Sequence, residues 1–143
     1  MNTYVDEIDK QAQKSGKKLD FAALRAQLKN LSDISAKYES ALSKAEQKTT
    51  LSAAQLNALN TALMRTERVL TRPEGLPNRD WYKHQIYAPG FYTGYGVKTL
   101  PGIREAVDSK DWTLAQKEAG VVEQCVEQLN HVVDQAYEAL SSL

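Results

Sequence analysis

The chain has 143 residues, enough to bury one core and form a single domain. Hydrophobic residues make up 42% and charged residues 25%, the balance of an ordinary soluble globular domain, and 18 basic side chains are matched by 18 acidic ones. With no basic excess to neutralise phosphates, nucleic acid and anionic membrane surfaces are excluded as expected partners.

Nowhere do 18 apolar residues run together, so no membrane span is expected. The first residues, Met1-Asn2-Thr3-Tyr4-Val5-Asp6-Glu7, are acidic and lack the apolar stretch of a signal peptide. A single cysteine, Cys125, excludes an internal disulfide and leaves the compartment open.

Residues 3–15 read as a short helix, with Tyr4, Val5, Ile8 and Ala12 at helical spacing; Gly16, Lys17 and Lys18 close it as a C-cap glycine and basic residues do. A long helix over 20–47 follows, opened by Asp20 as N-cap. Leu24, Leu28, Leu31, Ile34, Tyr38 and Leu42 step by threes and fours along one face of it. Lys48, Thr49 and Thr50 interrupt the pattern. Ser52 with Gln55 three residues on has capping-box spacing. Leu56, Leu59, Leu63, Thr66 and Leu70 then carry a third helix over 51–71, stopped by Pro73. Leu100-Pro101-Gly102-Ile103 opens a short helix over 100–108, and Asp111 caps the last, over 111–142. In that last helix Ala115, Ala119, Val122, Val126, Leu129, Val133, Ala136 and Leu140 recur with nearly strict a/d spacing. The spacing also suits a coiled coil, but the alanines favour close packing inside a bundle. The expected fold is all-α: a four-helix-type bundle with helix 3–15 attached.

Residues 72–102 differ in kind, holding all four prolines, five of the seven glycines and six of the eleven aromatic residues. So long a loop in a compact domain is functional or disordered. Trp81, Tyr82, Ile86, Tyr87, Phe91, Tyr92 and Tyr95 supply apolar surface for packing, which predicts an ordered excursion with an extended piece at 83–87. The tyrosines are expected to pin this loop onto the bundle, apart from Tyr95, which has glycine on both sides.

No constellation carries chemistry of its own. His84 and His131 lie on different elements, without a second ligand at metal spacing, and read as solvated or hydrogen-bonded side chains. Cys125, beside the apolar stripe, reads as a small buried hydrophobe. Gly94-Tyr95-Gly96 follows no strand and opens no helix, so it is not a phosphate loop. Glu39, Lys44, Glu118 and Glu123 read as solvated helix faces.

The irregular stretch nevertheless has recognisable landmarks. Gly75-Leu76-Pro77-Asn78-Arg79-Asp80-Trp81-Tyr82-Lys83-His84, Ile86-Tyr87-Ala88-Pro89 and Leu100-Pro101-Gly102-Ile103 occur in an order and at separations that resemble the C-terminal domain of the glutamate carboxypeptidase II and transferrin receptor family. The resemblance covers residues 19–143; residues 1–18 look like the tail of the last helix of a preceding peptidase domain. It implies a parent with a two-zinc peptidase domain and an inserted apical domain, in which this helical domain forms much of a homodimer contact. No zinc ligand or other cofactor is expected in this chain, the zinc belonging to the peptidase domain; the parent is expected to be exported or extracytoplasmic. In the carboxypeptidase branch the long loop reaches the active site, where a lysine–tyrosine pair holds the substrate's glutamate side chain. Tyr95 matches that tyrosine, Gly94 stands where the lysine is expected, and Lys98 lies nearby. The resemblance thus implies a homodimerisation module, not itself an enzyme, whose loop helps form the parent's substrate pocket through Tyr95 and Lys98. The alternative is a free-standing helical adaptor that binds a protein through the aromatic loop.

Overall fold

The structure, a computed structural model, describes residues 1–48, 51–92, 94 and 96–141. Five α-helices lie among them: α1 (Asn2–Lys14), α2 (Ala22–Lys48), α3 (Ala53–Arg65), α4 (Pro101–Asp108) and α5 (Trp112–Ser141). The only sheet among the described residues is an antiparallel pair, β1 (Tyr87–Pro89) and β2 (Val97–Thr99), with Tyr87 opposite Thr99 and Pro89 opposite Val97. The chain is therefore the all-α bundle expected. The interruption expected at Thr49 and Thr50 and the end of the last helix at 142 lie outside the described residues.

Local signals set the helix ends. After α1, Gly16 takes φ +68, its N–H bonds the Gln13 carbonyl and the Lys17 N–H the Ala12 carbonyl, the paired bonds of a Schellman ending. α2 begins at Ala22, two residues later than expected, with the Phe21 carbonyl taking its first helical bond; Asp20, expected as the N-cap, instead sits one residue outside and accepts the Ala22 N–H at 2.9 Å. Gln116 of α5 clamps the Asp20 peptide from both sides, accepting its N–H and donating to its carbonyl. The Ser52–Gln55 capping box forms at α3, and Asp111 accepts the Leu114 N–H at the start of α5.

One boundary is corrected. The helix expected over 51–71 stops at Arg65, and the chain tightens into a 3₁₀ turn at Arg68–Leu70. Pro73 bars the helical conformation at Arg72 and would clash with the carbonyl four residues back. The backbone at 70–72 instead pairs with the returning loop, Arg72 N–H to the Lys83 carbonyl and Gln85 N–H to the Leu70 carbonyl.

α5 is the spine against which α2, α3 and α4 pack, while α1 packs on α4. Two core clusters lie along it. The larger joins Val5 and Ile8 of α1, Leu24 and Leu28 of α2, Leu100, Ile103 and Val107 around α4, and Ala115 to Val126 of α5. The smaller joins Ala45, Leu59, Ala62, Val132, Ala136 and Leu140. The a/d stripe expected along α5 holds at its start and end but not in the middle: Leu129 and Val133 are half-buried, while Asn130 and Val132 are buried. A straight helix drifts relative to a 3.5-residue repeat, and here its partner changes from α4 to α3. Asn130 answers its burial by donating to the carbonyl and side-chain oxygens of Gln27 on α2. Cys125 is buried as expected, and burial pushes its thiol pKa up.

Candidate functional site: a buttressed loop

Backbone bonds tie together the described residues of the 71–100 segment. A bridge joins Thr71 to His84, the Leu76 N–H bonds the Tyr82 carbonyl, and the Leu100 N–H bonds the Ile86 carbonyl at 2.7 Å. The extended piece expected at 83–87 is displaced to Tyr87–Pro89, because pairing with Val97–Thr99 supplies the ladder bonds that isolated strand residues lack.

The residues that pin the loop are not the expected aromatics. Leu76, Ile86, Ala88 and Leu100 are buried, whereas Trp81, Tyr87, Phe91 and Tyr92 are exposed, Tyr92 at 93%. Arg79 holds the centre. It is 4% exposed and pairs both Glu105 oxygens of α4 through Nη2, at 2.7 and 2.8 Å. Its Nη1 donates to the Pro89 carbonyl at 2.5 Å, and its guanidinium lies over the Tyr82 and Phe91 rings at 5.1 and 5.5 Å. Glu105 also accepts the Phe91 N–H at 2.9 Å. One ion pair thus ties three stretches of loop to α4. A lone arginine in Asn78-Arg79-Asp80 gave no periodic signal by which sequence reasoning finds it.

His84 is hydrogen-bonded, as expected. Its Nδ1 accepts the Ile86 N–H at 3.2 Å, which places the ring proton on Nε2, 3.1 Å from Glu67. Its ring stacks on Tyr87 at 4.0 Å. The Tyr87 hydroxyl also meets Glu67, whose charge raises the phenol's pKa. Both ring nitrogens are engaged by the chain itself, and no cluster of three or more metal-ligating side chains occurs among the described residues. His131 is exposed on α5.

Of the two expected substrate-contacting residues, Tyr95 lies outside the described residues. Lys98, half-buried on β2, pairs with Asp108 at the end of α4 at 2.5 Å. Burial pushes the Asp108 carboxyl up, but the Lys98 and Gln11 hydrogen bonds outweigh it and leave the pKa lowered.

Glu118 corrects another expectation. Read as part of a solvated face, it is 5% exposed, covered by the 73–80 turn and the start of α4. It follows Lys117 in a helix whose charge pattern looks surface-like, and nothing local betrays that a distant loop folds over it. Burial raises its pKa, offset only partly by the charges of Lys117 and Arg72. A carboxyl raised in the fold stabilises below the ordinary carboxylate range and loses that contribution as pH rises through its folded pKa. Glu118→Gln is therefore expected to melt a few degrees above the unsubstituted chain at neutral pH, with the gap closing near about pH 4. A gap that persists unchanged at acid pH would show that ionisation is not its source.

The described residues thus form a helical bundle with one aromatic loop tied to α4 by the Arg79–Glu105 pair. The chain belongs to the transferrin receptor-like dimerisation domain family, which it matches over residues 19–134. It is similar to a probable glutamate carboxypeptidase of Arabidopsis thaliana, 38% identical over 103 residues, 71% of this chain but 14% of that protein. A probable glutamate carboxypeptidase of Arthroderma benhamiae is 42% identical over 57 residues, 40% of this chain and 8% of that protein. An inactive zinc metalloprotease of Schizosaccharomyces pombe is 38% identical over 64 residues, 45% and 8% respectively. The chain thus spans only a small part of the length of the curated relatives it matches. No helix among the described residues is long and apolar enough to cross a membrane.

Proposed function

We propose that this domain is the homodimerisation module of a larger glutamate carboxypeptidase-like zinc peptidase, and that its 71–100 loop helps form that protein's substrate pocket. The observation that carries the proposal is the family match over residues 19–134 in a chain similar to carboxypeptidases several times its length. In this reading residues 1–18 are the tail of the peptidase domain, and residues 19–143 are the dimerisation domain. Catalysis and zinc belong to the peptidase domain, an apical domain completes the parent, and the parent is exported. The apolar side chains that α3 leaves exposed, Leu56, Leu63 and Met64, suit a contact with a second subunit. A twofold contact is self-complementary, so one such face on each copy suffices. Light scattering on the full-length parent at micromolar concentration is expected to give twice the chain mass; a monomer counts against the proposal.

For the pocket, the family pattern supports Tyr95 as a contact to an acidic group of the substrate; Gly94 stands where the pattern has a lysine, and Lys98, nearby, is assigned in its place. Lys98 reaches a substrate only by giving up Asp108. A tyrosine hydroxyl donating to a carboxylate contributes about 1.5–3 kcal/mol, or roughly tenfold to a hundredfold in affinity. Tyr95→Phe in the parent keeps the ring and deletes the donor. A rise in KM of that order for peptides ending in an acidic residue is expected, with Tm nearly unchanged. Unaltered kinetics at normal Tm would remove Tyr95 from the pocket.

A further inference from the structure

Between the 73–80 turn and α5 lies a cavity of about 350 Å3. Gly75, Leu76, Leu114 and Val121 line part of it, and Glu118 faces it from α5. Glu118 is 5% exposed as a residue, and no hydrogen bond or ion pair holds it among the described residues, although its oxygens are not fully enclosed and remain within reach of solvent. A carboxylate in that position is expensive unless a donor meets it. The carboxylate also lies close to the start of α4: a Cβ on Gly102 would stand 2.7 Å from Glu118 Oε2, a contact that the flexible end of the glutamate relieves by shifting.

The rest of the wall sets the sign of what fits. Glu74 and Asp80 add two acidic groups, against Arg72 and Lys117. Arg72 is already occupied, donating to Gln124 at 2.9 Å and to Glu74 at 3.4 Å. An anion entering the cavity meets three carboxylates, Glu118, Glu74 and Asp80, against the exposed Lys117 and an Arg72 that is already engaged. A metal ion finds no cluster of three or more ligating side chains among the described residues.

We propose that this cavity is a binding site for a cationic nitrogen group, a primary ammonium or a guanidinium, whose N–H donors meet Glu118. Leu76, Leu114 and Val121 give an alkyl stem apolar contact while the charged head pairs with the carboxylate. Two sources supply this chemistry: a free amine, or a lysine or arginine side chain from another part of the full-length protein.

The test titrates the full 143-residue chain with putrescine and with arginine amide, following amide chemical shifts by NMR, with sodium acetate as the anion control. Saturable shifts are expected at Gly75, Leu76 and Val121 for both amines and not for acetate. Glu118→Gln keeps the shape and removes a buried charge, so it folds; its amine affinity is expected to fall roughly tenfold or more, the loss of one charge-assisted bond. No saturable shift with either amine, an equal response to acetate, or undiminished affinity in Glu118→Gln would each overturn the proposal. Repeating the titration on the full-length protein separates the sources. Binding there as in the chain identifies a free amine; binding by the chain alone identifies a side chain already seated in the cavity.

Discussion

Arg79→Ala is expected to lower the stability of the domain by about 3–5 kcal/mol, the usual cost of leaving one member of a buried ion pair behind. Glu105 keeps its carboxylate at α4 but loses both guanidinium bonds, and the Pro89 carbonyl loses its donor. The Tyr82 and Phe91 rings lose the cation between them. Arg79→Lys is expected to recover little, because an ammonium is a point charge and cannot serve Glu105 and Pro89 with a rigid fork. Urea denaturation measures the loss, and hydrogen exchange locates it. The Phe91 N–H, bonded to Glu105, is expected to exchange much faster in Arg79→Ala, while amides around Val126 on α5 follow the global stability. A loss below about 1 kcal/mol, the range of an exposed pair, would show that Arg79 does not hold the loop. The pair need not be a net stabiliser over an apolar substitute: Arg79 Nε is buried without a partner, so Arg79→Met with Glu105→Leu is expected to regain part of the loss. The guanidinium fork, shared between Glu105 and the Pro89 carbonyl, instead favours one arrangement of the loop residues around it.

Where a repeating pattern decides the structure, the sequence is sufficient. Leu24, Leu28 and Ile34 share the buried face of α2 as their spacing predicts, and Ser52 with Gln55 marks the start of α3 because both partners of the capping box lie within one turn. Spacing alone fails where burial is decided by chain segments far away. Asn130 and Glu118 lie on α5 with ordinary helical surroundings, yet α2 covers one and the 73–80 turn the other.

The loop shows the same division. Its landmarks identify the family, and its aromatics correctly predict order, but the inference that the aromatics supply the anchors reverses their arrangement. Four of them face outward, and a charged residue holds the middle. Trp81, Phe91 and Tyr92 leave a band of aromatic surface exposed on the loop. Among the residues assigned to the substrate, the pairing of Lys98 with Asp108 across ten positions of sequence has no local signature either.

Gly75→Ala is expected to be nearly as damaging as the loss of Arg79, for a reason wholly in the backbone. Gly75 has φ +71, a conformation that costs an L-residue about 1–2 kcal/mol. A Cβ there would also stand 2.2 Å from the Asp80 carbonyl oxygen and 2.6 Å from its carbonyl carbon, distances no side chain tolerates. The neighbouring atoms are main chain, so relief requires moving the turn, and overpacking of that kind costs roughly 1–3 kcal/mol more. The sum is about 2–5 kcal/mol. Displacing the turn disturbs what it positions: the Gly75 N–H bonded to Arg72, the Leu76 N–H bonded to Tyr82, and beyond them Arg79. Gly16→Ala is the matched control. Its φ of +68 carries the same conformational cost, but nothing lies within 4 Å of the added Cβ. Denaturation midpoints of the two variants separate strain from collision. Gly75→Ala is expected to lose clearly more stability than Gly16→Ala and to speed exchange of the Leu76 amide; equal losses would mean that the 73–80 turn yields freely and is not the hinge point from which Arg79 is aimed at Glu105.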